Sequence, residues 1–332
     1  MPDVTKSQSD TAVDSSAATA VVDAVAPPTD VDAPPASAAG PASQGKSRSL
    51  WGDAWFELRH RPLFWISAVL LLLLLAIAAF PGLFTGADPR DGDLTNHFLT
   101  KPELTHFFQP DWFGYDVQGR SIYSRVIYGT RASILVGVGV TAVVTLVGGF
   151  LGMMAGYFGG LVDSIISRIT DIFFGLPFLL GTMVILNAFT ERKVYVVIAA
   201  LAFLGWTTIA RVMRSSVITA KQADYVTAAR ALGANTSRIL FRHVLPNALA
   251  PTIVVATISL GAYISAEATL SFLGLGLADP TISWGIDISD AKDAIRDNPH
   301  VMLFPAGMLS LTVFAFITLG DAVRDALDPK LR

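Results

Sequence analysis

The chain has 332 residues, of which 52% are hydrophobic and 15% charged, with a net charge of −3 at neutral pH. A mean hydropathy of +0.53 is too high for a soluble domain of that length and puts the chain in the membrane class, where charge matters loop by loop and not in total. It contains no cysteine, which excludes disulfide frameworks and thiolate metal sites and leaves the redox compartment open.

Residues 1–45 are mostly Ala, Pro, Asp, Ser, Thr and Val, with no aromatic residue and no apolar period. Such a segment cannot bury enough apolar surface to offset its ordering entropy, so a disordered tail is expected there. It does not read as a signal peptide, because the first apolar run begins only near Leu63. Residues 40–47 spell the phosphate-loop pattern G-x-x-x-x-G-K-[ST]. That chemistry needs a strand feeding the loop and a helix leaving it, so that backbone N–H groups converge on phosphate. Pro34, Pro35 and Pro41 precede or occupy the run, and no β-like stretch leads into it, so the match is read as accidental.

Trp51, Trp55, Arg59, His60 and Arg61 form a basic and aromatic anchor ahead of an apolar run at 63–80, close to the ~20 residues that a spanning helix needs. Residues 81–131 are polar and are assigned to a loop outside the bilayer. Five more spans are expected at 132–157, 169–189, 194–210, 248–272 and 301–320, followed by a short tail at 321–332. The fold class is therefore an all-α integral membrane protein with six transmembrane helices, five of them in a core over 132–320. In the second span Gly148, Gly152 and Gly156 recur every four residues, a seam along which another helix can approach closely. Pro177 is expected to kink the third span. Asp171, near the start of that span, and Glu267, near the far end of the fifth, are candidates for lining a pathway or for packing helices together.

Between the fourth and fifth spans lies a polar, Ala-rich interruption at 223–247. Residues 225–232 favour a helix that stops at Gly233, where positive φ is easily adopted. Asn235, Thr236 and Ser237 offer capping oxygens for a second helix, and Pro246 is expected to end it. Arg238 and Arg242 share one face of that helix, while Ile239, Leu240, Val244 and Leu245 supply apolar surface. Two readings fit this composition: a helix that docks in a partner's groove, and a basic helix lying on lipid headgroups.

The run Thr227-Ala228-Ala229-x3-Gly233-x9-His243-x-Leu245-Pro246 resembles the EAA loop of permease subunits of ATP-binding-cassette importers, Glu-Ala-Ala-x3-Gly-x9-Ile-x-Leu-Pro. Thr227 stands where that pattern has Glu, and His243 where it has Ile. Further blocks resemble the C-type permeases of the dipeptide, oligopeptide and nickel group: Gly114, Asp116, Gly119, Arg120, Ser124, Arg125, Gly129, Arg131 and Ser133; the Glu267 to Gly276 run; and the Pro280 to Gly285 run. The resemblance covers residues 51–332. It implies a type I importer permease whose loop, including Thr227, Ala228, Ala229, Gly233, Arg238, Arg242, Leu245 and Pro246, is a coupling helix for an ATPase subunit. It also implies a homologous B-type permease, two ATP-binding subunits that use ATP and Mg, and an extracytoplasmic substrate-binding lipoprotein. The implied cargo is di- or oligopeptides, with nickel chelates the alternative that relatives with this loop also carry, and no cofactor is held by this chain.

Basic residues in the loops set the expected orientation. Arg211, Arg214, Lys221, Arg230, Arg238 and Arg242 follow the fourth span against Asp224 alone, which places that side in the cytoplasm. Lys292 and Arg296 after the fifth span face Asp279, Asp287, Asp290, Asp293 and Asp297, which places that side outside, with both termini cytoplasmic. A catalyst is not expected, since no H-E-x-x-H or G-x-S-x-G run is present, and His60, His97, His106, His243 and His300 are scattered. Nor is a metal site or a nucleic-acid partner expected. The alternative to a permease subunit is an autonomous channel or secondary carrier, which calls for mid-membrane ionisable groups or inverted repeats.

Overall fold

The computed structural model describes residues 50–327. The expected tail over 1–45, the 40–47 run and the last residues of the chain lie outside the described residues. Within them the chain is helical, with two isolated bridges, Gly92 to Arg120 and Tyr115 to Ser121, and no strand. Five helices are long and apolar enough to cross a membrane, or up to six when one bent pair counts as a single span.

A short helix, α1 (Leu50–Leu58), leads to α2 (Pro62–Ala79), the first span. Pro62 opens α2 where its missing N–H has no intrahelical partner to lose. Leu63, Ile66, Val69 and Leu72 point outward, as lipid-facing residues would, while Ser67, Leu71, Leu74 and Ile77 are buried on the opposite side.

The second span is longer than the sequence suggests. α3 (Ile122–Phe158) has 37 residues, roughly 55 Å of helix against a hydrocarbon core of ~30 Å, so it projects well beyond the bilayer. It starts inside the segment read as loop, where the Ser121 hydroxyl accepts a hydrogen bond from the Ser124 N–H. The glycine seam of α3 packs on α6 (Val194–Lys221). A Cβ on Gly148 would run into the carbonyl oxygen of Trp206, one on Gly152 into that of Ala210, and one on Gly156 would lie 2.7 Å from that of Arg214.

The third span corrects the sequence reading. In place of one kinked helix over 169–189 there are two, α4 (Gly160–Phe174) and α5 (Phe178–Asn187), at 84° to each other. Gly175 caps α4, and Pro177, in extended conformation, caps α5 at its start. Proline disfavours helical geometry in the residue before it and lacks an N–H of its own, so helix is lost on both sides of Leu176 and the chain turns.

The loop helix α7 (Asp224–Ala231) precedes α8 (Thr236–Arg238), a π-helical segment (Ile239–Val244), α9 (Leu245–Phe272), α10 (Trp284–Asp290) and α11 (His300–Leu327). α11 continues past Gly320 into the stretch read as a tail, and its Thr318 hydroxyl lies 2.6 Å from that of Ser67. Trp284, fully buried at the start of α10, donates from its indole N–H to the Val126 carbonyl of α3 at 3.0 Å. Gly129 leaves room for that ring.

Candidate functional site

The loop between α6 and α9 is held at its base and bare at its tip. α7 stops as expected: Gly233 follows it with φ +81, and Leu232 donates its N–H to the Ala228 carbonyl. The Asn235 side chain then accepts the Arg238 N–H at 2.8 Å, which makes it the cap of α8. Pro246 does not end this helix. The chain widens into the π-helical segment and continues as α9 with Pro246 near its start. A wider turn moves the carbonyl that the proline ring would strike and removes the need for its N–H, which is how a helix absorbs the residue. Asn247 adds a side-chain bond to the His243 carbonyl at 2.8 Å.

Ile239, Leu240 and Val244 are buried with Val226 against Tyr157 of α3 and Met213 and Val217 of α6. Tyr157 donates its hydroxyl to the Thr236 carbonyl at 3.3 Å, and Lys221 donates to the Tyr157 carbonyl at 2.6 Å. On the other side Arg238, Arg242, Thr227 and Ala228 are exposed, and neither arginine forms an ion pair among the described residues. Two apolar side chains share that side, Leu232 at 89% exposure and Phe241 at 59%. Ala229, Leu245 and Pro246 are half-buried. At Gly233 a Cβ would meet nothing in this chain, so within the chain the positive φ alone calls for glycine.

The other candidates part company. Glu267 is fully buried where α3, α9 and α10 meet, and one carboxylate oxygen accepts from Ser271 at 2.8 Å and from Ser283 at 3.2 Å. Ser283 is also the cap of α10, so the carboxylate pins that helix to α9. Asp171 is exposed on α4 and paired with Arg211 of α6 at 3.3 Å. Pro177 lies in the break next to a cavity of about 620 Å³ bounded by α4, α5, α6 and α9. Phe173, Phe174, Thr207, Thr208 and Tyr263 line it, and Glu267 does not.

One cluster was not assembled by sequence reasoning. Asp116 accepts from Arg120 at 2.7 Å, and Arg120 reaches Asp290 at 3.1 Å. Arg125 donates to Asp287 through Nε at 2.7 Å and again through Nη2. Burial pushes the Asp287 carboxyl up to about 6 against the opposing pull of Arg125. Arg120 and Arg125 were legible as single motif positions, but their partners on α10 stand some 160 to 170 residues away, and only an excess of Asp in that later loop hinted at them.

Residues 148–332 match the family described as "Binding-protein-dependent transport system inner membrane component", and residues 49–102 match the "N-terminal TM domain of oligopeptide transport permease C". The oligopeptide transport system permease protein OppC of Bacillus subtilis is 38% identical over 301 residues, 90% of this chain and 96% of the relative. The glutathione transport system permease protein GsiD of Pectobacterium atrosepticum is 35% identical, over 86% of this chain and 93% of the relative. Among solved structures, one titled as an amino acid ABC transporter with histidines overlays with a TM-score of 0.47 at 15% identity, over 59% of this chain and 91% of that one.

Proposed function

This chain belongs to the binding-protein-dependent transport system inner membrane components, and from that membership we propose that it is the C-type half of a two-permease importer carrying di- or oligopeptides into the cytoplasm. A permease subunit of an ATP-binding-cassette importer has no power stroke of its own. It must couple inward-facing and outward-facing states to closure of separate ATPase subunits, because a bound ligand shifts a conformational equilibrium only through differential affinity for the two states. The observation that carries the reading is the loop between α6 and α9. Its buried face ties it to the ends of α3 and α6, and its outer face carries exposed Leu232 and Phe241 together with Arg238 and Arg242, which form no ion pair among the described residues. That pattern suits a groove in an ATPase subunit, with the hydrophobic pair as anchors and the arginines as orienting charges. The peptide cargo rests on the names of the relatives.

In this reading the chain binds no cofactor. ATP and Mg are used by two ATP-binding subunits, substrate is delivered by an extracytoplasmic lipoprotein, and a B-type permease supplies the other half of the pathway. The loop after α6 and both termini face the cytoplasm. Because the chain contains no cysteine, single cysteines at Ser237 and Asp293 report on topology without background, and labelling of both from the same side sinks the orientation.

The decisive experiment isolates the tagged chain from native membranes and assays tripeptide uptake. Recovery with a second permease and two ATP-binding subunits, and uptake that requires ATP and the binding protein, is the expected result. Uptake by vesicles holding this chain alone would replace the proposal with an autonomous carrier.

A further inference from the structure

Helices α4 and α6 border two cavities that adjoin. Phe173 and Phe174 of α4 and Thr207 and Thr208 of α6 line the one of about 620 Å³. One turn along, Thr170 and Asp171 of α4 and Ala210 and Arg211 of α6 line another of about 330 Å³. The first carries hydroxyl groups but no charged side chain among its described lining residues, and the second holds Asp171, Arg211 and Arg214.

The two arginines differ in how firmly they are held. Arg214 is committed to Asp163, donating from Nη2 at 2.7 Å and from Nε to the other oxygen. Arg211 makes a single bond of 3.3 Å to Asp171, and the two side chains are 53% and 65% exposed. Its guanidinium carbon lies 3.8 Å from the centre of the Phe174 ring. Phe174 is a wall of the larger cavity, so the cation stands at that cavity's threshold over an aromatic face, with Asp171 as its one side-chain hydrogen-bond partner among the described residues. An exposed, singly bonded carboxylate is readily exchanged for another.

A carboxylate inside the uncharged cavity loses hydration without gaining a cation. Moving along α6, the first cation it meets is Arg211, whose fork of N–H donors fits a carboxylate in a bidentate manner. We propose that Arg211 receives the free carboxylate of a translocated peptide, which takes the place of Asp171 against the guanidinium as the substrate leaves the uncharged cavity. Asp171 holds the position in the empty state. This rests on the peptide-import reading above.

The test uses the complete transporter with its binding protein, saturated in turn with trialanine and with trialanine amide. Uptake is compared as the ratio of acid to amide, so that selectivity of the binding protein cancels between variants. Arg211→Gln lowers that ratio on the order of tenfold, the factor set by one charge-assisted hydrogen bond. Arg211→Lys, which keeps the charge without the fork, falls between. Asp171→Asn removes the competitor and raises the ratio. A merely structural ion pair would reduce uptake of both peptides together, so an unchanged ratio in Arg211→Gln overturns the proposal. Should that variant fail to assemble, Asp171→Asn decides, since Asp171 is exposed; an unchanged or lowered ratio there overturns it too. If the unmodified transporter takes up neither peptide, the peptide-import reading itself falls, and the Arg211 assignment falls with it.

Discussion

The two ends of α3, α6 and α9 treat polar side chains in opposite ways. Where α3 begins and α9 ends, Arg125, Asp287 and Glu267 are buried and meet one another or nearby serines within the chain. Where α6 ends and α9 begins, Arg238 and Arg242 are exposed without an ion pair among the described residues, beside bare Leu232 and Phe241. Buried polar groups paired inside the chain fix its architecture, since removing one partner leaves a buried charge or dipole without compensation; as it stands, Glu267 Oε2 and Asp287 Oδ2 already have no hydrogen-bond partner among the described residues. Groups left open on a well-anchored loop are available to something else. Under the proposed function, the difference gives structure to one end and recognition to the other, and each role can be broken separately.

The largest effect belongs to the buried end. Arg125→Ala leaves Asp287 buried without its cation, an arrangement that costs about 3–5 kcal/mol when one member of such a pair is removed. The purified protein should lose most of its thermal stability, and a melting curve that overlays the wild type would show that the network does not hold α10 in place. Next comes the seam. Gly152→Leu forces a side chain against the Ala210 carbonyl, and overpacking of this kind costs about 1–3 kcal/mol, more when backbone must move. The expected readout is a lower melting temperature with the loop untouched; no change would mean that α3 and α6 separate freely.

These positions also show what a sequence exposes. The spans were legible because hydropathy along one chain needs no knowledge of the fold, and the seam because Gly148, Gly152 and Gly156 repeat on one face. Pro177 marked the place of the break between α4 and α5, but not its size, since hydropathy has no direction and passes both helices as one span while the backbone turns by 84°. The start of α3 was hidden for a related reason: Arg125 reads as a loop charge until Asp287, 162 residues on, is seen to neutralise it. Of the loop, the stop at Gly233 and the cap at Asn235 are local rules and came out as expected. The passage of the helix through Pro246 depends on a π-helical turn that no local rule announces.

A third test addresses the recognition end through its backbone. Gly233→Val places a β-branched residue at φ +81, a strain of about 1–2 kcal/mol confined to an exposed turn. Insertion and topology should be unchanged, because no membrane-embedded residue is altered. Copurification with the ATP-binding subunits and ATP-driven uptake should both be lost if the turn sets the outline of a coupling element.

The smallest effect on the folded chain, and the sharpest on the comparison, comes from Arg238→Glu combined with Arg242→Glu. Both side chains are exposed and neither pairs within the described chain, so the stability of the isolated subunit should move by no more than about 0.5 kcal/mol. What the loop touches then decides the outcome. A helix lying on anionic headgroups depends on its charge and little on the shape of its turn, so this pair would do the damage while Gly233→Val passed almost unnoticed. A helix seated in a protein groove depends on outline first, with charge setting the rate and orientation of docking. Gly233→Val should then be the more harmful change, and the charge reversal should weaken recovery of the ATP-binding subunits in a salt-dependent way. If Gly233→Val copurifies and transports like the wild type while the double reversal alone abolishes uptake, the loop is a membrane-surface helix, and its open face is matched to lipid and not to an ATPase.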